Sequence, residues 1–112
     1  MQQYKIRISK LAEQDLENAG DYIAFELLNH IAAGNMVKGI REQINKLEAF
    51  PAGYELDNDP ILAELGVHKT YYKEYKIFYT IDDNTKEVFI ARILHMLVDS
   101  RAWLHRTFGI SN

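Results

Sequence analysis

The chain has 112 residues, enough for one domain with a substantial core, and we treat residues 1–112 as a single domain. Its 47% apolar and 26% charged residues are typical of an ordinary globular protein. It contains no cysteine, which excludes a disulfide scaffold, thiol catalysis and a thiolate metal site. No apolar run approaches the roughly 20 residues that cross a membrane, and the opening MQQYKIRIS lacks the apolar segment of a signal peptide. We therefore expect a cytoplasmic protein.

The net charge of −3 is unevenly distributed along the chain. Residues 1–66 hold 6 Lys and Arg against 11 Asp and Glu, a net of −5, whereas residues 67–112 hold 7 against 5, a net of +2. The overall sign argues against strong non-specific binding to nucleic acid. The mildly basic second half is compatible with an anionic partner at one face, although solvated helices rich in Glu and Asp also explain the difference.

Hydrophobic spacing in the first half predicts a strand followed by two helices. Apolar residues at positions 4, 6 and 8 alternate with polar ones, as in a half-buried strand. Ser9 can cap the first helix, whose apolar residues form one stripe: Ala12, Leu16, Ala19, Ile23 and Leu27. After a break at Asn29, Pro51 ends a second helix with its own stripe: Ala33, Val37, Ile40, Ile44 and Leu47. The two stripes predict an antiparallel helix hairpin.

The second half predicts an irregular segment, three strands and a last helix. Residues 50–66 are rich in Pro, Gly, Asp and Asn and form mostly loop, with room for one helical turn at Ile61–Leu65. Strands are predicted near 67–73, 75–82 and 87–94, and the polar residues 83–86 form the turn between the last two. Asp99 is predicted to cap a final helix, with Gly109 just past its end. The order β-α-α-β-β-β-α predicts an α+β domain in which a helix hairpin packs on a mainly antiparallel four-stranded sheet.

Four segments of the chain together resemble one family. They are YKIRISKLAEQDLENAGDYI, KLEAFPAGYEL, EYKIFYTIDD and VFIARILHMLVD, and they are similar to successive segments of the RelE/ParE toxin superfamily. The resemblance implies the toxin of a type II toxin–antitoxin, or plasmid stabilisation, system, held inactive by a co-expressed and often acidic antitoxin. RelE-like members cut mRNA on the ribosome without a metal ion, whereas ParE-like members inhibit DNA gyrase. This chain looks closer to the ParE-like members.

Several residues of the chain are candidates for a role in RNA cleavage. Attack by a 2′-hydroxyl needs a base, an acid and cations that stabilise the charge of the phosphorane. The resemblance carries the central-strand arginine of RelE-like nucleases onto Lys76, and the preceding strand contributes Lys69. His95 is the best single catalytic candidate, because imidazole gains or loses a proton near neutral pH. Further contacts to substrate or target are predicted for His68, Lys73, Tyr79 and Arg101.

Each candidate also has a structural explanation. A histidine at a strand end can bond to the backbone, a strand lysine can be solvated, and strand tyrosines can pack against one another. Arg92 is expected to share a partly buried face with Val88, Ile90 and Leu94 and to pair with a carboxylate. His30 and His105 are expected on helix surfaces. Because the histidines are scattered without metal-ligand spacing, we expect no metal site and no cofactor.

The turn after the last predicted strand separates the two possible targets. Related toxins often carry a basic run there, whereas this chain has Met96-Leu97-Val98, which cannot neutralise a phosphorane. The loss of one preorganised charge costs roughly 2.7–4 kcal/mol of transition-state stabilisation. The sequence therefore predicts a non-enzymatic toxin that binds a protein such as DNA gyrase; the alternatives are a ribosome-dependent mRNA endoribonuclease and an inactive member of the family. In each case the predicted partner is an antitoxin, whose flexible segment folds onto the helix-hairpin and sheet grooves.

Overall fold

The computed structural model describes residues 3–110, and its order of strands and helices is the predicted one. The elements are β1 (Lys5–Ile8), α1 (Lys10–Asp21), α2 (His30–Asn45), α3 (Pro60–Glu64), β2 (His68–Tyr72), β3 (Tyr75–Asp82), β4 (Glu87–His95) and α4 (Ser100–Thr107). A π-helical turn at Tyr22–Glu26 extends α1, and 3-10 turns at Lys46–Glu48 and Pro51–Gly53 follow α2. The short helix expected at Ile61–Leu65 is α3. No helix within residues 3–110 has the length and apolar character that spanning a membrane requires.

The four strands form one mixed sheet in the order β1-β4-β3-β2. β1 runs parallel to β4, while β3 is antiparallel to both of its neighbours, β4 and β2. In the β3–β4 turn, the backbone N–H groups of Asn84 and Thr85 donate to the carboxylate of Asp82 at 2.9 and 3.2 Å. The prediction of an α+β fold with a mainly antiparallel four-stranded sheet is confirmed.

The helix hairpin of α1 and α2 packs on one face of the sheet, which we call the hairpin face. The Ser9 hydroxyl accepts a hydrogen bond from Ala12 N–H at the start of α1, and the Asn29 amide accepts one from Ala32 N–H at the start of α2, both at 2.9 Å. The main core lies between these helices and the sheet and includes Leu16, Ile40, Ile44, Leu47, Ile77, Tyr79, Val88, Ile90 and Ile93. The predicted apolar stripes therefore face the sheet along most of their length.

The predicted stripe of α1 is wrong at Leu27. The N–H of Leu27 donates to the carbonyl of Tyr22 at 3.3 Å, five residues back, which is the spacing of a π-helical turn. The wider turn breaks the 3.6-residue period on which the stripe depends. As a result Leu27 is 58% exposed, whereas Ile23 remains buried.

The opposite face of the sheet, which we call the α4 face, carries a second and smaller core. Phe78 of β3 and Leu94 of β4 pack there with Leu62 of α3 and Leu104 of α4. The short helices α3 and α4 therefore cover the face of the sheet on which Lys76 lies.

A β-bulge in β4 decides which residues face α4. Tyr79 pairs with Ile90 but Phe78 pairs with Arg92, so Ala91 is an extra residue in β4. Val88 and Ile90 belong to the core of the hairpin face, while the residues after the bulge change phase. The expectation that Arg92 shares a face with Val88 and Ile90 is therefore wrong, because alternation across the bulge is not conserved along the strand.

Candidate functional site

The pairing of β3 with β4 separates His95 from Lys76. Tyr75 pairs with His95, and Lys76 pairs with Leu94. Because adjacent residues of a strand point to opposite faces, His95 lies on the hairpin face and Lys76 lies on the α4 face. Side-chain contacts agree: the His95 ring meets Tyr75 edge-on with 5.2 Å between ring centroids, and Lys76 Nζ donates to Ser100 Oγ of α4 at 3.1 Å.

Lys69 shares the α4 face with Lys76 but is almost completely covered. It pairs with Phe78 in the β2–β3 ladder, which puts both side chains on that face. Lys69 is only 7% exposed, and its Nζ lies 3.9 Å from the carboxylate of Glu55. The structure thus brings Lys69 and Lys76 to one face and leaves His95 on the other.

His95 ends β4 and bonds to the turn that follows. The N–H of Leu97 donates to His95 Nδ1 at 3.1 Å, and the N–H of Val98 donates to the His95 carbonyl at 3.0 Å. Since Nδ1 accepts a hydrogen bond, the proton of the neutral ring is on Nε2. Nδ1 of this half-buried imidazole therefore holds the turn, and no hydrogen bond to Nε2 comes from residues 3–110.

His68 and Tyr79 form a stacked pair inside the hairpin face. Their ring centroids are 5.3 Å apart with an interplanar angle of 15°. His68 Nδ1 donates to the Tyr54 carbonyl at 2.8 Å, and the Tyr79 hydroxyl donates to the Pro51 carbonyl at 2.6 Å. Burial raises the pKa of Tyr79 above its ordinary value. Tyr79 is fully buried, so its ring has no exposed surface on which a base or a target could stack.

Lys73 and Arg101 are exposed, and each is associated with a different element. Lys73 lies in the β2–β3 turn with a φ of 51°, and its Nζ is 5.7 Å from the centre of the Tyr72 ring. Arg101 lies in the first turn of α4, where its Nε donates to Asp59 Oδ1 at 2.9 Å. Arg101 therefore ties α4 to α3, and it does not supply a cation to the turn after β4.

Asp59 joins α3 to α4 and is the residue that sequence reasoning misses. Its carboxylate accepts hydrogen bonds from Leu62 N–H at 3.2 Å and from His105 Nε2 at 2.8 Å. The bond from His105, opposed by desolvation and assisted by Arg101, lowers the pKa of Asp59. The expectation of a surface His105 is wrong, because the ring turns inward to this carboxylate and is 5% exposed. The sequence Asp59-Pro60 could have indicated the role of Asp59 as a helix cap, since this pair is typical of a helix start.

Arg92 forms the predicted pair with a carboxylate. Its Nε and Nη2 donate to the two oxygens of Asp15 in α1, both at 2.7 Å, and the N–H of Ile93 donates to the same carboxylate at 2.9 Å. The bond to Asp15 raises the pKa of Arg92 against the opposing effect of burial. The Trp103 ring covers the guanidinium, with 5.0 Å from Cζ to the ring centre. This cation is therefore neutralised within the fold.

The surface around His95 is mostly apolar, with Lys73 and Glu74 among the polar residues that line it. Leu97 is 87% exposed in the turn after β4. Two clefts of about 310 and 460 Å³ meet at the Tyr75–His95 pair, one beside Trp103 and the other beside Leu27. Among residues 3–110, no three His, Asp or Glu side chains are grouped as the ligands of a metal ion would be.

The fold and a comparison with protein families together define the class of protein. The mixed four-stranded sheet with a helix hairpin on one face is a fold that this chain shares with solved toxin chains. A family model described as the ParE toxin of the type II toxin–antitoxin system parDE matches residues 6–99. The chain therefore belongs to the ParE toxin family and is the toxin of a type II toxin–antitoxin system. Comparison with curated proteins gives no match.

Three solved structures share the fold at low sequence identity. A chain of the toxin–antitoxin complex RelBE2 from Mycobacterium tuberculosis is 20% identical with a TM-score of 0.61, over 83% of this chain and 98% of that chain. A chain of the chromosomal ParDE system from P. aeruginosa is 21% identical with a TM-score of 0.69, over 83% and 96%. The free E. coli toxin RelE, as a double arginine mutant, is 12% identical with a TM-score of 0.64, over 97% and 99%.

Proposed function

We propose that this toxin inhibits growth by binding a protein target such as DNA gyrase, without cutting RNA. The observation that carries the proposal is the separation of His95 from Lys69 and Lys76 by the sheet. A general base or acid must come within hydrogen-bond reach of the proton that it transfers, and cations must surround the same phosphate. Side chains on opposite faces of a sheet cannot meet at one phosphate without refolding of the strand.

The state of the cations also supports a target other than RNA. Lys69 is buried beside Glu55, and Arg92 is held by both oxygens of Asp15. Lys76 donates to Ser100 and lies beside α4. A ribosome-directed nuclease needs a basic surface to meet rRNA, whereas a protein-binding toxin gains from exposed apolar groups such as Leu97.

The partner that the comparisons support is a cognate antitoxin, since two of the similar structures are of toxin–antitoxin systems. The clefts on either side of the Tyr75–His95 pair offer apolar surface to an antitoxin segment that folds on binding. We therefore propose a toxin–antitoxin hetero-oligomer in which the antitoxin covers this end of the sheet.

The experiment is induction of the toxin without its antitoxin, with both targets measured in parallel. We expect growth to stop with intact mRNA, and we expect the purified toxin to inhibit supercoiling of relaxed plasmid by gyrase. His95→Ala and Lys76→Ala should remain toxic, because neither residue performs catalysis in this proposal. Rapid cleavage of mRNA at translating codons that either substitution abolishes would refute it.

One observation favours a second candidate, the metal-independent mRNA endoribonuclease. Lys69 and Lys76 share the α4 face with Arg92, and α3 and α4 pack on that face. Residue 99 is the last residue of the family match, so α4 lies beyond it. In this candidate, departure of α4 exposes the cations to RNA, and Lys76→Ala abolishes cleavage. An induced toxin that neither cuts mRNA nor slows growth would instead identify an inactive member of the family.

A further inference from the structure

Three backbone N–H groups of the turn after β4 donate hydrogen bonds, and one of their acceptors is an ionisable side chain. Met96 N–H donates to the Glu74 carbonyl at 2.7 Å. Val98 N–H donates to the His95 carbonyl at 3.0 Å. Leu97 N–H, between them, donates to Nδ1 of the His95 ring at 3.1 Å. A carbonyl accepts at every pH, whereas an imidazole nitrogen accepts only while it carries no proton, so the middle of the turn depends on the protonation state of this ring.

Two other histidines bond through a ring N–H, and protonation leaves their bonds in place. His68 Nδ1 donates to the Tyr54 carbonyl at 2.8 Å. His105 Nε2 donates to the Asp59 carboxylate, also at 2.8 Å. Each of these nitrogens carries a proton in the neutral ring and keeps it in the imidazolium. Within residues 3–110, His95 is the one histidine whose ring nitrogen accepts a hydrogen bond, so it is the one whose bond is broken by acidification.

His95 titrates among groups whose charges oppose one another. Titratable and charged side chains from α1, its π-helical turn, the β2–β3 turn, β3 and β4 line the two clefts beside the ring: Asp15, Tyr22, Lys73, Glu74, Tyr75 and Arg92. The residues that α2 and α4 contribute to these clefts are not ionisable. The first and last of the six pair with each other, and the lysine and the glutamate have opposite charges. Burial raises the pKa of Tyr75, so its ring stays neutral over the range in which histidines titrate. The bond to Leu97 N–H is therefore the contact that distinguishes the neutral imidazole from the charged one.

We propose that His95 is a protonation switch for the turn after β4: the neutral ring fixes the middle of the turn, and the protonated ring releases it. When Nδ1 gains a proton, it faces the N–H of Leu97 as a second donor, so the hydrogen bond is lost and the two N–H groups repel each other. The bonds of Met96 and Val98 to carbonyl groups remain, so the turn loosens at its centre without unfolding. Histidine side chains change charge between about pH 5 and 8, so modest acidification drives the release.

The switch controls a turn that presents apolar side chains to solvent. Leu97 is 87% exposed, and its neighbour Met96 is 48% exposed. A side chain that is held in place before binding loses less conformational freedom when a protein covers it. A protein that contacts the turn should therefore bind the neutral form of the toxin more tightly than the protonated form. The switch is a property of the free toxin and does not depend on the identity of the target.

Two substitutions at residue 95 each fix the switch in one state. His95→Asn supplies an amide oxygen that can accept from the N–H two residues ahead, as in an Asx-turn, and that does not titrate. His95→Phe keeps an aromatic ring beside Tyr75 and supplies no acceptor. The turn should be fixed in the asparagine variant and released in the phenylalanine variant at every pH between about 5 and 8. Thermal unfolding followed by circular dichroism checks that both variants are folded.

Nitrogen-15 NMR of the histidine rings in the unmodified toxin provides the first test. Above about pH 8, where the rings are neutral, we expect the proton of His95 on Nε2 and that of His68, the internal control, on Nδ1. On acidification the amide proton of Leu97 should shift with the same midpoint as the His95 ring. A neutral His95 with its proton on Nδ1, or a Leu97 amide that does not follow the ring, overturns the inference.

Hydrogen exchange of the Leu97 amide provides the second test, with all proteins compared at the same pH. The amide should exchange about two- to tenfold faster in His95→Phe than in His95→Asn, because one hydrogen bond is lost. The unmodified toxin should match the asparagine variant at neutral pH and the phenylalanine variant after acidification. The Met96 amide, which donates to the Glu74 carbonyl, is the control and should exchange alike in all three proteins. Equal exchange of Leu97 in the two variants, or an equal change at Met96, overturns the inference.

Discussion

The pair between Asp15 and Arg92 should be one of the most costly single contacts to break in this fold. It joins α1 to β4, and both side chains are less than one-tenth exposed. Asp15→Ala removes the acceptor of two bonds from Arg92 at 2.7 Å and one from the N–H of Ile93 at 2.9 Å. The substitution leaves a buried guanidinium and a buried amide without their partner.

The expected magnitude follows from this burial. Removing one member of a buried ion pair costs about 3–5 kcal/mol, because the remaining charge is left unpaired in a poorly solvated site. A domain of this size is stable by about 5–15 kcal/mol, so Asp15→Ala removes a large share of the total. If the free energy of unfolding falls by about 1.5 kcal/mol per molar urea, the urea midpoint of unfolding should fall by about 2–3 M.

Urea unfolding of four proteins tests this reasoning. Glu13→Ala is the matched control, since Glu13 also lies on α1 and pairs with an arginine, but both partners are about half exposed. Such a pair contributes about 0–1 kcal/mol. The double variant Asp15→Leu with Arg92→Met should recover much of the loss, because no charge is then left buried. If Asp15→Ala and Glu13→Ala shift the midpoint equally, the argument from burial is refuted.

Three further predictions concern stability at other positions. Tyr79→Phe should cost about 1–3 kcal/mol by leaving a buried carbonyl without its donor, while toxicity is unchanged. Gly39→Ala should destabilise by about 1–3 kcal/mol in urea, because the new Cβ collides with the ring of Tyr72, whereas Gly34→Ala should stabilise by up to about 1 kcal/mol. Since the pKa of Asp59 is lowered on folding, its contribution is fully present above its unfolded pKa of about 3.9 and disappears as the pH falls through the lower folded value. Asp59→Asn should therefore destabilise at neutral pH, and urea midpoints should show its deficit shrinking below about pH 4.

The spacing of apolar residues was sufficient to predict the elements and most of the core. The stripes of both long helices and the strands at 75–82 and 87–94 depend on local period, which a sequence states directly. The exposure of Leu27 was not predicted, because a π-helical turn changes that period and no residue type in the sequence indicates such a turn. The burial of His105 was not predicted, because it depends on a hydrogen bond to Asp59, which is 46 positions away in the chain.

The sequence was sufficient to name the residues of the candidate site but not to predict how they are arranged in space. His95 and Lys76 are 19 positions apart on neighbouring strands, and their faces depend on the strand register and on the bulge at Ala91. A shift of one residue in the pairing would put both side chains on the same face. No local pattern specifies that register, so a sequence that contains candidate residues of a nuclease site need not bring them together.

The composition of the turn after β4 agrees with the separation of His95 from Lys69 and Lys76. Residues 96–98 of this turn carry no cation, and one preorganised charge at a phosphorane is typically worth roughly 2.7–4 kcal/mol of transition-state stabilisation. Leu97 in its place is 87% exposed, and leaving that side chain in water gives the free toxin no stabilisation. Burial against another protein would contribute roughly 25 cal/mol for each Å² of apolar surface removed from water. The turn after β4 therefore supplies apolar surface in place of a cation, which agrees with the proposed binding of a protein target.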